Sequence, residues 1–189
     1  MGNFYVNYTC KGALRDAVVA ALSGYEAFVV FANDVTYITE RATSEQDEQA
    51  IEKLASMLSQ QLDRAVLAVL NHDDDVLKTW LAEKGEIMDR YNSNPGYGDG
   101  KEALPVGGDA EKIVKAFGGA KSKGLADVMH PKGEDDRYMF ASDCHRDICI
   151  ALGVPDVAVG FAYANVGKGE LPEFVEPDDI VSIGPSHPV

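Results

Sequence analysis

Residues 65–70, AVLAVL, are six apolar residues without a polar interruption. Successive side chains of a strand point to opposite faces, so a strand with one face in water alternates apolar and polar residues. An unbroken run specifies a strand covered on both faces, placed inside a sheet and not at its edge. No apolar stretch in the chain approaches the ~20 residues of a membrane span.

The segments before this run set its neighbours. NFYVNYTC at 3–10 alternates, with Phe4, Val6, Tyr8 and Cys10 on one face, and predicts a strand. Leu14, Ala17, Val18, Ala21 and Leu22 then recur at helical spacing up to Gly24. EAFVVFA and VTYITE predict two strands joined at Asn33-Asp34, residue types that tolerate the positive φ of a tight hairpin. A second helix is expected to open at Thr43 and Ser44, with Thr43–Gln46 or Ser44–Asp47 as a capping box. Its apolar stripe is Ile51, Leu54, Ala55, Leu58 and Leu62.

With AVLAVL the order becomes β-α-β-β-α-β, a ferredoxin-like core in an α+β fold. That arrangement leaves the fourth strand at a sheet edge, which the composition of AVLAVL forbids. VLKTWLAE and EIMDRYN, a hairpin around Lys84-Gly85, resolve the conflict if the first of them pairs antiparallel with AVLAVL. The core then spans 3–92, with its sheet extended by the hairpin.

Composition changes at 93–108, where SNPGYGDGKEALPVGG holds five glycines and two prolines, a long loop of the kind that often carries function. Beyond it, 109–168 predicts a helical and β-α-β part. Its elements are a helix capped by Asp109, a helix at GLADVMH, a strand at DRYMFA, a helix capped by Ser142 and ended by Gly153, and a strand at VAVGFAYANV. Residues 1–168 are thus expected to form a single domain. The acidic, proline-containing tail at 169–189 is expected to be extended and mobile and to wrap the domain or a partner.

Charge bounds the partners. Acidic residues number 31 against 17 basic ones, a net of −14. Nucleic-acid affinity rests on clustered Lys and Arg against phosphates, so this chain is expected to bind no nucleic acid, and no anionic membrane surface on the same ground. Solubility accounts for the charge in the plain case. A sharper consequence is steering toward a protein partner with a basic surface. Cys10, Cys144 and Cys149 fit neither a disulfide framework nor a CxxC motif, so reduced thiols and a cytoplasmic location are expected. The opening residues lack the pattern of a signal peptide, and Val6 stands where myristoylation wants Ser or Thr.

NHDDDVL at 71–77 is the stretch closest to chemistry. His72, Asp73 and Asp75, with Asp99 from the glycine-rich loop, would offer oxygen and nitrogen ligands to a divalent ion such as Mg²⁺ in a hydrolase. The competing interpretation is a turn, since Asn and Asp are common turn residues. His145 is expected on the surface in the first turn of its helix, with Cys144 and Cys149 as small core residues. GYGDGKE misses the phosphate-loop spacing, and no GxSxG, HExxH, CxxC or GxGxxG occurs. Binding candidates are therefore Tyr97 and Asp99 on the loop, Trp80 if it faces outward, and the acidic residues Glu45, Asp47, Glu48 and Glu52. The last four also complement a helix N-terminus.

GNFYVNYT, NHDDDVL, NPGYGD and VGFAYANVGKGELP together resemble an uncharacterised bacterial protein family. The resemblance implies a self-contained bacterial domain and supplies no catalytic residues. The expected function is a non-enzymatic protein-binding module, an acidic inhibitor or immunity-type protein that neutralises a basic toxin or enzyme. The divalent-metal-dependent hydrolase stands as the alternative.

Overall fold

The computed structural model describes residues 2–101, 103–118, 122–133, 138–173 and 175–184. Its framework is one eight-stranded sheet built from β1 (Tyr5–Lys11), β2 (Ala27–Ala32), β3 (Val35–Glu40), β4 (Val66–His72), β5 (Val76–Glu83), β6 (Glu86–Asn92), β7 (Val106–Gly107) and β8 (Ile180–Ile183). The spatial order is β7-β6-β5-β4-β1-β3-β2-β8, and every neighbouring pair is antiparallel. The fold is α+β, and its β4-β1-β3-β2 centre has the ferredoxin-like order.

β4 owes its apolar composition to this position. Val66, Ala68 and Leu70 enter one core with Ile51, Leu54 and Leu58 of α2 (Glu48–Leu62), while Leu67 and Val69 enter the other. That second core is closed by α3 (Ala110–Phe117), α4 (Ser122–Met129) and α5 (Ala141–Leu152). The first also receives Val18 and Ala21 of α1 (Arg15–Ala21). Helices therefore cover both faces of an antiparallel sheet, and the β5–β6 hairpin removes β4 from the edge. No helix among the described residues is long and apolar enough to cross a membrane.

The hairpins follow their turn chemistry. Lys84 and Gly85 both have positive φ between the paired Glu83 and Glu86, and Asn33 does so between Ala32 and Val35. Gly107 is fixed by close approach: its φ is +72°, and a Cβ there would overlap the Arg90 carbonyl of β6.

Four expectations need correction. The second helix does not start at Thr43: Ala42–Glu45 form a 3-10 turn, Gln46 is left-handed, and Asp47 caps α2 by accepting the N–H groups of Gln49 and Ala50 at 2.8 and 3.3 Å. The role assigned to a capping box falls instead to Glu40, whose carboxylate accepts the N–H groups of Ala42 and Thr43. The strand expected at VAVGFAYANV is absent; Asp156–Ala158 form a 3-10 turn and Tyr163–Val166 a short helix, α6. This segment lies over the sheet face, where no strand edge is available, and Asn7 of β1 pins it by donating to Ala158 O at 2.6 Å and Phe161 O at 3.1 Å.

DRYMFA is not a strand either over Tyr138–Phe140, which lead directly into α5; its residues 136 and 137 lie outside the described residues. The acidic tail, finally, is partly built into the sheet. Ile180–Ile183 pair with β2 as β8, from Ala27↔Ile183 to Val30↔Ile180, and residues 185–189 lie outside the described residues.

Candidate functional site

The β4–β5 connection holds the aspartates. Asp73 and Asp74 have φ of 54° and 61°, and the Asp75 N–H donates to His72 O at 3.0 Å, the pattern of a type I′ turn. Asp73 Oδ1 accepts the Gly2 N–H at 3.0 Å. Asp74, which is buried, accepts from Asn3 Nδ2 at 2.8 Å, Asn71 Nδ2 at 2.9 Å and the Ser142 N–H at 3.0 Å. Burial pulls the Asp74 pKa up, but the bonds from Asn71, Ser142 and Asn3 outweigh it and leave the carboxyl below its ordinary value.

Asp74 thereby supplies what α5 lacks. Phe140 occupies the N-cap position and gives no side-chain cap, and Ser142, the expected cap, lies inside the helix. The Asp74 carboxylate and carbonyl take up the N–H groups of Ser142 and Ala141, an anion at a helix N-terminus delivered from another layer of the fold.

His72 is clamped. Its Nδ1 lies 2.6 Å from Gln46 Oε1, while Gln46 Nε2 donates to Asn71 O at 2.8 Å. Its ring meets Phe4 and Tyr97 edge-on at centroid distances of 5.1 and 5.8 Å. Tyr97 donates its hydroxyl to Asp75 Oδ2 at 3.2 Å. The structure thus brings His72, Asp75 and Tyr97 together. Asp99 ends the exposed 3-10 turn Tyr97–Asp99, and no hydrogen bond or ion pair among the described residues joins its side chain to them. Among the described residues, no three His, Cys, Asp or Glu side chains converge as a metal ligand set.

Tyr97 stands between two hollows. One, of about 410 Å³, is lined by Glu45, Gln46, Glu48, His72, Lys78 and Tyr97 among others. The other, of about 530 Å³, lies between the glycine-rich loop and the start of α5, and includes Asp75, Tyr91, Asn94, Tyr97, Tyr138 and Met139. Among the described residues, Asp75 is the only charged side chain on its wall. Met139 at its rim is 83% exposed, and Phe140 follows at 49%. Partial desolvation, then the carboxylates of Asp75 and Asp73, raise the Tyr97 pKa, so its hydroxyl remains a donor.

The remaining candidates fall outside this groove or play other parts. Trp80 is buried against the α2 layer and offers no outward surface. Asp47 is the α2 cap. Glu48 and Glu52 are paired, with Lys78 at 2.7 Å and Arg90 at 2.6 Å. Glu45 lines the smaller hollow. His145 is buried and not on the surface: its Nδ1 shares a 2.9 Å hydrogen bond with the Tyr5 hydroxyl. Burial, then the charge of Arg146, pushes its pKa down to about 3. The Cys144 thiol at the groove wall is pushed up to about 12 by burial, which makes it a poor nucleophile near neutral pH.

Asn94, Tyr138 and Met139 carry no pattern that sequence reasoning would select, and Gln46 stands out only as a capping-box partner of Thr43. No family model, curated protein or solved structure matches the chain.

Proposed function

We propose that the chain is a cytoplasmic, non-enzymatic protein-binding module, an acidic inhibitor or immunity-type protein that covers a basic surface on a toxin or enzyme. The observation that carries this reading is how the side chains beside the β4–β5 turn are used. The groups that looked like chemistry hold the fold together, while an aromatic groove with the Asp75 carboxylate on its wall and exposed Met139 at its rim is left open. Exposed aromatic and methionine side chains beside acidic groups suit recognition of a cationic partner. The metal-dependent alternative draws less support, because Asp73, Asp74 and the His72 Nδ1 are already engaged within the protein.

Affinity capture at low and at high salt, with wild type and a Tyr97→Ala/Met139→Ala variant, tests the reading. Wild type should retain a basic protein that high salt releases and that the double variant does not hold. Retention of the same proteins by the variant, or of none by wild type, would count against it.

A further inference from the structure

The larger groove has an uneven supply of hydrogen-bonding groups. All three of its tyrosine hydroxyls are committed: Tyr97 donates to Asp75 at 3.2 Å, Tyr138 to Asp147 Oδ2 at 2.7 Å, and Tyr91 to Met129 O at 3.0 Å. For a ligand they leave aromatic surface. Asp75 Oδ1 accepts no hydrogen bond among the described residues, and Asn94 Oδ1 is a buried oxygen with no partner. Among the described residues, no lysine or arginine lines the wall. Two oxygens left open, one of them charged, with tyrosine faces around them, call for a ligand that is cationic, flat and rich in donors.

We propose that this groove receives the side chain of an arginine presented by a protein partner, a subsite that rests on the protein-binding reading above. A guanidinium carries five donors in a plane, enough to serve Asp75 and Asn94 together while stacking on a tyrosine face. An ammonium is a compact point charge and lacks that planar fork. Charge complementarity names the occupant: among the described residues the wall carries a single formal charge, that of Asp75, in a chain of net −14.

The experiment titrates ¹⁵N-labelled protein with acetyl-arginine amide and with its neutral isostere, acetyl-citrulline amide, followed by amide chemical shifts. Arginine should perturb the amides of Asp75, Ser93, Asn94, Tyr97 and Ala141 saturably. Citrulline, and arginine on an Asp75→Asn variant, should bind about tenfold or more weakly, because the charge-assisted bond is gone. Asp75 is exposed, and asparagine still accepts from Tyr97, so the variant keeps the turn.

Equal binding of citrulline, or shifts spread over the acidic surface and indifferent to Asp75→Asn, would overturn the subsite. If a basic protein is still captured in that case, the module reading stands and the arginine subsite alone is wrong. If capture fails too, both fall.

Discussion

Asp74 and Ser142 are joined across 68 positions of the chain: Asp74 Oδ1 accepts the Ser142 N–H at 3.0 Å, and Asp74 O accepts the Ala141 N–H at 2.7 Å. Asp74→Ala strands buried donors on Asn71 and α5 and frees the part-buried Asn3 amide, and should cost about 3 kcal/mol in urea unfolding. Asp74→Asn keeps an acceptor and should cost about half as much. An alanine variant within about 0.5 kcal/mol of wild type would remove Asp74 from its capping role.

The same carboxyl sets an acid limit. Its folded pKa lies below the unfolded one, so its stabilisation is present above about pH 4 and is lost as pH falls through the folded value.

His145 acts in a higher window. Its folded pKa of about 3 lies below the ordinary 6.5, so the unfolded chain takes up the proton first. Stability should be independent of this residue above pH 6.5 and should fall toward pH 3 by up to about 1.4 kcal/mol per unit. Urea midpoints measured against pH should show that slope in wild type and a flatter one in His145→Gln between pH 6.5 and 4.

Trp80 is the only tryptophan in the chain and is 2% exposed beneath α2. Its emission should be blue-shifted in the folded protein and should move to the red in step with the loss of circular dichroism. Trp80→Ala should cost about 3–5 kcal/mol through the cavity it leaves. A wild-type emission already at the solvent-exposed maximum would contradict its placement.

The Glu52–Arg90 pair is bidentate but exposed, with both Arg90 nitrogens bonded at 2.6 and 2.8 Å. Arg90→Met should therefore change stability by no more than about 1 kcal/mol, measured at low salt where the effect is largest.

Much of the sheet was legible because its signals are local or exclusionary. AVLAVL demanded two covered faces and so a neighbour beyond β4, and Lys84-Gly85 named the tight turn of the β5–β6 hairpin that supplies it. The C-terminal part was harder because its order comes from contacts distant in sequence. Asn7 pins residues 156–161 away from strand geometry, and Asp74 caps a helix whose own first residues give no cap.

The site was half legible for the same reason. NHDDDVL identified the right corner of the molecule, and Tyr97 the right loop. That the aspartates bind backbone N–H groups and asparagine amides depends on Gly2, Asn3 and α5 arriving from elsewhere.

β8 has a consequence for the order in which the protein is made. Ala27 pairs with Ile183, so the outer edge of β2 has no neighbour while the intervening chain is still being synthesised. Synthesis runs from the N-terminus, and β1 to β4 can associate long before Ile180 leaves the ribosome. For that interval the nascent molecule carries an unpaired, apolar Phe28–Phe31 edge, the kind of surface that recruits strands from other chains. Slow translation through residues 93–179 would lengthen that exposure, and yield during expression should respond to it before any measure of finished stability does.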